Sequence, residues 1–329
     1  MEAETLLRRL ADGAPHSGEV LAREFGVTRA AIWKQVDKLR DWDLRVHAAA
    51  GSGYRLERPI DLLDEAALRA ELKPGAGLEV GSVEVFTALA STNRHLLERP
   101  APPPGRLDVC LAEYQTAGRG RRGRVWSAPL GGCLCLSVGW MFAETPPDFP
   151  ALSLAVGATA RRVLQHCAGL DVQLKWPNDL VWQDRKLGGI LVELTGEVHG
   201  GCQLVAGLGI NVDIPEDRLA GLCDWPAGAV DLHTAAGGLL PGRTSVAARM
   251  IEALAELAAD YASRGFAPYR QEWRAADYLF GKQLRLQGAR GERHGKACGI
   301  DDDGALLVEF EPGRRQRIIS GDVSVREKQ

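Results

Sequence analysis

Between Gly118 and Arg124 four arginines alternate with three glycines inside seven residues, and no acid interrupts them. Glycine lets backbone N–H groups approach a ligand in conformations that other residues resist. Arginine adds a permanent cation whose forked donors match phosphate and carboxylate. The combination predicts a flexible, anion-seeking loop, closed by Val125-Trp126-Ser127-Ala128-Pro129. Gly118, Gly120 and Gly123 also spell G-x-G-x-x-G, the dinucleotide fingerprint. That fingerprint needs a strand before it and a helix opening within it. A strand is expected upstream, over Val109 to Tyr114, but Pro129 and Gly131-Gly132 downstream do not open a helix. A nicotinamide-binding oxidoreductase is therefore disfavoured.

Four further motifs carry chemistry-bearing side chains. Ser91-Thr92-Asn93 follows a strand and starts a helix, presenting hydroxyls, an amide and free N–H groups at a helix N-terminus. Lys175-Trp176-Pro177-Asn178-Asp179 puts a cation, an aromatic ring, an amide and a carboxylate into one turn between strands. Asp184 to Leu191 reads as a hairpin in which Lys186 precedes a buried strand, and Gly207 to Asn211 ends a strand with an amide. Alone, each has an ordinary structural explanation: an N-cap, a proline turn, a charged hairpin, a glycine-weakened strand. Their occurrence in one segment is what points to a site.

The elements that must position them fall into three parts. Residues 1–62 read as three short helices and a hairpin. Leu6, Leu7 and Leu10 stripe the first helix, Ser17 caps a second that begins at Gly18, and Gly26 marks a tight turn. Thr28 caps a third helix whose Ile32, Val36 and Leu39 share a face. Its other side carries Arg29, Ala30, Trp33, Lys34, Lys38 and Arg40 against Asp37 alone, and Gly51-Ser52-Gly53 turns a two-stranded wing. This is a winged helix-turn-helix with the third helix as major-groove reader, and Gly18, Thr28, Arg29, Ala30, Trp33, Lys34, Asp37 and Lys38 are the residues expected at the DNA. Trp33 either touches DNA or pads the core edge. Residues 63–79 form a connector, helical from Pro59 to about Lys73, with Asp61 or Asp64 available as cap and a break at Pro74-Gly75-Ala76-Gly77. Residues 80–277 alternate strands and helices as an α+β domain with a mixed sheet. Residues 278–329 are short strands and turns, which predicts a small SH3-like β-barrel.

Composition narrows the class. The net charge is -3 and hydrophobic residues make up 45% of the chain, as in an ordinary globular protein without a nucleic-acid-coating surface. No apolar run approaches the roughly 20 residues of a membrane span, and Met1-Glu2-Ala3-Glu4 does not start a secretory signal. Seven scattered cysteines without C-x-x-C argue against both a disulfide framework and a zinc site, so a reducing cytoplasm is expected.

Taken together, Ser91-Thr92-Asn93, Glu113-Tyr114-Gln115, Gly118 to Arg124 with Trp126, Lys175 to Asp179, Arg185 to Leu191 and Gly207 to Asn211 closely resemble the bifunctional biotin–protein ligases that also repress biotin-synthesis genes. The N-terminal Ser17-Gly18-Glu19, Arg29-Ala30-Ala31-Ile32 and Gly51-x-Gly53-Tyr54 resemble the repressor-type members. The resemblance implies a class II synthetase-like biotin/lipoate ligase fold in the centre. It implies a reaction in which biotin and ATP give biotinyl-5′-adenylate, from which a lysine of a biotin carboxyl carrier protein takes the biotinyl group. It further implies that Ser91, Thr92, Asn93 and Gln115 hold biotin. Arg119, Gly120 and Arg121 would close over carboxylate and phosphate, Lys186 would contact the ligand, Trp126 would wall the adenine side, and Asn211 would touch the nucleotide. Joining a carboxylate to a triphosphate brings like charges together, and Arg119, Arg121, Lys175 and Lys186 are available to offset them. Magnesium is expected with ATP, and Asp179 is open either to contact it or to orient Lys175. Operator DNA and a second copy of the chain, paired when the adenylate is bound, are the implied partners; no membrane is. The competing class is a transcription factor whose centre only senses a small molecule.

Overall fold

The structure, a computed structural model, describes residues 2–327 apart from 50–52, 76, 145, 147, 197–200, 224, 289–290 and 320–322. Gly51-Ser52 of the expected wing turn and Ala76 of the expected break lie outside the described residues. Helix α1 (Ala3–Leu10) buries Leu6, Leu7 and Leu10. Ser17 accepts from the Glu19 N–H to open α2 (Gly18–Glu24), and Thr28 accepts from the Ala31 N–H to open α3 (Arg29–Asp41). Gly26 between them stands at φ +63°, the left-handed turn its sequence position required. Strands β1 (Val46–Ala49) and β2 (Gly53–Leu56) pair antiparallel as the wing.

The connector is helical over less of its length than expected. Only α4 (Glu65–Glu71) forms, with Asp64 as its cap. Asp61 serves elsewhere: its carboxylate accepts from the Arg243 backbone N–H and its carbonyl from the Arg243 guanidinium, each at 2.6 Å. A tertiary bond thus withdraws Asp61 from the local competition for a helix start.

The central sheet has the order β3-β4-β5-β9-β8-β7-β6. Its strands are β3 (Glu79–Leu89), β4 (Arg106–Gln115), β5 (Cys133–Phe142), β6 (Gln173–Lys175), β7 (Asp179–Trp182), β8 (Arg185–Gly196) and β9 (Cys202–Asn211). β3 and β4 are parallel, joined through α5 (Thr92–Leu97), while the other neighbours are antiparallel. Helices α6 (Leu152–Ala168), α9 (Arg243–Arg264) and α10 (Ala267–Ala275) enclose the main core on one face. The last was not expected from sequence; Pro268 stands in its first turn, where a missing N–H costs nothing. Short helices α7 (Glu216–Leu219) and α8 (Leu232–Ala235) follow β9.

Alternation along β9 decides where a ligand can lie. Leu204, Ala206, Leu208 and Ile210 belong to the main core, whereas Val205 packs with Leu96 of α5 on the opposite face. Gly207, Gly209 and Asn211 share Val205's face by the two-residue period. Glycines there leave open floor where side chains would otherwise stand.

Strands β10 (Gln283–Gly288), β11 (Gly291–Ile300), β12 (Leu306–Glu311), β13 (Arg314–Ile318) and β14 (Val323–Glu327) make an antiparallel sheet in the order β13-β12-β11-β10-β14. Its Asp301-to-Gly304 turn docks on the central domain. Gly304, at φ +80°, packs so closely on Ala151 and Leu154 that a Cβ would come within 2.8 Å of each. Its carbonyl accepts from the buried Trp176 indole at 3.0 Å. The small domain therefore braces the Lys175-to-Asp179 turn from behind.

The helix-turn-helix is seated as firmly. Leu130, in the turn before β5, is buried in the helix-turn-helix core, with Tyr114, Ile60 and Leu62 packed against it. Arg58 bonds Asp213 at 2.7 Å, and Arg45 and Arg218 pair across the boundary with Asp217 and Asp43. Deeper, the Arg243–Glu113 ion pair at 2.7 Å leaves only 3% and 4% of the two side chains exposed. Arg243 also donates to the Cys133 carbonyl, and Glu113 accepts from the Leu63 N–H. Connector, β4, β5 and α9 meet at this one pair.

Candidate active site

The face of the sheet that carries Gly207, Gly209 and Asn211 floors a cavity of about 980 Å³. Ser91, Thr92, Asn93, Gln115, Arg119, Gly120, Arg121, Trp126, Lys175, Asp179, Lys186 and Asn211 all line it. Segments separated by more than a hundred residues are thus brought to one wall.

Around Ser91 to Asn93 the contacts are polar and ordered. The Thr92 backbone N–H donates to Gln115 Oε1 at 2.9 Å, so this helix-start N–H is occupied and not free. Ser91 occupies the N-cap position of α5 without a side-chain capping bond. Ser137 donates to Asn93 Oδ1 at 2.6 Å and lies 2.7 Å from the Thr92 hydroxyl. Asn93 Nδ2 donates to the Leu191 carbonyl and to Glu193 at 3.0 and 2.9 Å. Gly207 makes room for this amide: a Cβ there would meet Asn93 Oδ1 at 2.0 Å.

The glycine–arginine loop leaves β4 and returns to itself. Trp126 N–H donates to Gly118 O at 2.9 Å and Gly120 N–H to Arg124 O at 2.7 Å, so a short ladder closes its base. Arg121–Gly123 forms one 3₁₀ turn with Arg122 and Gly123 at positive φ. With no α-helix opening here, the dinucleotide-fingerprint reading fails on geometry. Arg119 pairs with Glu193 at 2.9 Å, and Arg121 donates to Asn178 Oδ1 at 3.3 Å. Burial pushes the Arg121 pKa down, opposed by the nearby Asp179 carboxylate.

Trp126 lies flat across the Gly189–Gly209 cross-strand pair, its ring 2.4 Å from where a Gly209 Cβ would stand. Two buried polar atoms in this wall, Trp126 Nε1 and Asn211 Oδ1, have no hydrogen-bond partner among the described residues. Such atoms cost free energy unless a ligand or water satisfies them. Asn211 Nδ2 is held by the Val230 carbonyl at 3.0 Å. Asp179 pairs with Lys186 at 2.6 Å, a partner beyond the magnesium and Lys175 roles that the sequence leaves open for it. Lys175 Nζ sits 3.9 Å from the centre of the Trp225 ring, a cation–π contact.

Trp225 was not anticipated from the sequence. It comes from the segment between α7 and α8, lines the cavity, and donates from its indole to the Asp184 carbonyl at 2.6 Å. Tyr278 joins it, bonding Asp184 Oδ1 at 3.0 Å. The Trp225-Pro226 dipeptide before Gly228 was the available signal, an aromatic held in a turn.

A second candidate surface lies on α3. Arg29, Ala30, Lys34 and Lys38 are exposed, and Trp33 is 57% exposed, which excludes a core-padding role. Asp37 is committed to Arg40 at 2.8 Å. Gly18 does not belong to this exposed face. It is half-buried against the wing, where a Cβ would stand 3.0 Å from the Tyr54 ring.

Comparisons with known proteins agree on one family. Residues 85–211 match the biotin/lipoate A/B protein ligase family, residues 2–55 an HTH domain, and residues 279–326 the biotin protein ligase C terminal domain. The chain is 39% identical to the bifunctional ligase/repressor BirA of Salmonella typhimurium, over 98% of this chain and 97% of that protein. It is 35% identical to the biotin–(acetyl-CoA-carboxylase) ligase of Mycobacterium tuberculosis, over 79% of this chain and 95% of the relative. Among solved structures, the biotin protein ligase from Aquifex aeolicus in complex with biotin and ATP superposes with a TM-score of 0.60 at 26% identity, covering 76% of this chain and 99% of that one.

Proposed function

The chain belongs to the biotin protein ligase family, and from that membership we infer an ATP-dependent biotin–protein ligase that is also a DNA-binding repressor. The observation that carries the chemistry is the convergence of Arg119, Arg121, Lys175 and Lys186 on one cavity that also holds two orphaned polar atoms in its wall. In the first step a biotin carboxylate oxygen attacks the α-phosphorus of ATP. The bond to pyrophosphate breaks, and biotinyl-5′-adenylate remains. In the second, a lysine amine of a biotin carboxyl carrier protein attacks the acyl carbon and AMP leaves, the amine proton passing to solvent.

We assign each residue its role by its place along the cavity. Ser91, Thr92, Asn93 and Gln115 form the polar end, which suits the ureido ring of biotin. Arg119, Gly120 and Arg121 are assigned to the junction of carboxylate and α-phosphate, where fixed cations would offset the developing charge without reorganisation. Lys186, aimed by Asp179, and Lys175, held on Trp225, face the phosphate side. Trp126 and Asn211 bound the nucleotide end. Magnesium enters as the ATP complex. In this reading the ATP phosphates and water hold the ion, and Asp179, paired with Lys186, is the cavity carboxylate that would join them.

The decisive assay is biotin-dependent exchange of labelled pyrophosphate into ATP. Exchange is expected; its absence would leave only the sensor reading. The regulatory half adds that the adenylate-bound chain dimerises and binds operator DNA through α3, with residues 1–62 as the reading head, 63–79 as connector, 80–277 as ligase and 278–329 as the small C-terminal domain. A two-fold pair would present two reading helices to successive major-groove faces. Operator affinity indifferent to biotin plus ATP would refute this half. The cytoplasm, which supplies ATP and keeps thiols such as Cys133 and Cys135 reduced, is the proposed compartment.

A further inference from the structure

We propose that Glu193 is the latch of the Gly118-to-Arg124 lid, a positioning residue that holds Arg119 and ties the lid to the pocket floor. The proposal rests on the biotinyl-adenylate reading of the cavity.

Glu193 lies on β8, two residues beyond Leu191, and is not among the cavity-lining residues. Its Oε2 accepts from Arg119 Nη2 and from Asn93 Nδ2, both at 2.9 Å. A carboxylate can only accept. It therefore turns the Asn93 amide nitrogen toward itself and leaves Oδ1 to accept from Ser137. Ser137 bonds both Asn93 Oδ1 and the Thr92 hydroxyl, at 2.6 and 2.7 Å, and the Thr92 hydroxyl itself donates to Gln115 Oε1 at 3.2 Å. The Thr92 N–H in turn donates to Gln115. The contacts form a closed circuit: Gln115, Thr92, Ser137, Asn93, Glu193, Arg119, and back along the backbone to Gln115. Both ends of the circuit lie on the stretch of chain that departs into the lid.

A loop with three glycines loses much backbone entropy when it is fixed, so its order depends on its anchors. Among the lid arginines that line the cavity, Arg119 and Arg121 have different anchors. Arg121 reaches Asn178, a neutral amide that itself lines the cavity. Arg119 reaches a carboxylate outside the cavity wall, so a ligand anion need not displace it. Glu193 thus fixes Arg119 in place at the carboxylate site, while Arg121 contacts a residue of the cavity wall.

The pair is 41% and 24% exposed, so its strength is that of a solvated ion pair with a shared hydrogen bond. Its loss is expected to change a rate by about two- to fivefold. The test uses Glu193→Gln, which keeps an acceptor for Asn93 and removes the charge that holds Arg119. Trypsin digestion of the unliganded chain should cut the lid about two- to fivefold faster. Release of biotinyl-adenylate should quicken by a similar factor, with biotin KM rising more than kcat falls. Glu193→Leu, which also removes the Asn93 acceptor, should raise biotin KM further. In an Arg119→Ala background, Glu193→Gln should add little. Unchanged digestion and unchanged adenylate release would overturn the latch. So would a rise in digestion matched by an equal loss of urea stability, since that marks a merely structural residue. The unliganded digestion reads the latch without substrate, whereas failed pyrophosphate exchange in the unaltered chain would sink the ligase reading instead.

Discussion

Replacing Glu113 by Gln is expected to cost far more than its shape suggests. The substitution keeps an acceptor for the Leu63 N–H but removes the one carboxylate among the described residues that pairs with the Arg243 guanidinium, whose side chain is 3% exposed. Arg243 retains the Asp61 and Cys133 carbonyls at 2.6 and 2.8 Å, which solvate the guanidinium without neutralising it. Breaking a buried pair from one side typically costs about 3–5 kcal/mol, because the remaining charge stays desolvated. For a unit the size of the ligase domain this corresponds to a melting temperature lower by roughly 10 °C. The control is the double replacement Glu113→Leu with Arg243→Met, which removes both charges. It should lie within about 2 kcal/mol of the unaltered protein, giving a strongly non-additive cycle. Urea unfolding followed by tryptophan fluorescence reads all four corners. Single replacements that cost less than about 1 kcal/mol, or a double that costs the sum of the singles, would refute the reasoning.

Other consequences can be measured independently. Asp277 is half-buried, with one carboxylate oxygen buried and unpartnered among the described residues, and desolvation raises its pKa to about 6. A raised carboxyl pKa means the folded state keeps its proton longer than the unfolded one, so stability should fall as pH climbs from about 4 to about 6, by up to roughly 3 kcal/mol, then level off. Asp277→Asn should abolish that slope in urea titrations; a slope that persists assigns it to another group. Gly207→Ala would drive a Cβ to 2.0 Å from Asn93 Oδ1 and break that amide's bonds, so biotin affinity by calorimetry should drop about tenfold or more; unchanged binding would remove Asn93 from the biotin site. Lys34→Ala and Lys38→Ala should each weaken operator binding and lower the salt slope by about one, as read by fluorescence anisotropy across a KCl series.

What the sequence revealed of this site was local, and what it concealed was pairing. Lys175 to Asp179 occupy one turn, and the residues of the glycine–arginine loop are neighbours in the chain, so residue types alone exposed them. The partner of Asp179 depended on the register that sets β7 against β8, and that register chose Lys186. Trp225 reaches Lys175 from fifty residues further along. The same reason explains the misplaced start of α4: Asp61 and Asp64 are equally good caps in isolation, and only Arg243, far away in sequence, distinguishes them. Core positions fared better, because Ile32, Val36 and Leu39 announce their buried face by spacing alone.

The seat of Leu130 bears on how this protein can be taken apart. A residue of the ligase, a few positions beyond the lid's returning stem, sits inside the core of the reading head, with Tyr114 of β4 packed against that core. The head is therefore not a detachable cartridge. Cutting the chain after residue 62 would strip the cover from Leu130 and leave an apolar scar at the root of the lid. A foreign DNA-binding domain grafted there would have to bring its own socket for that leucine.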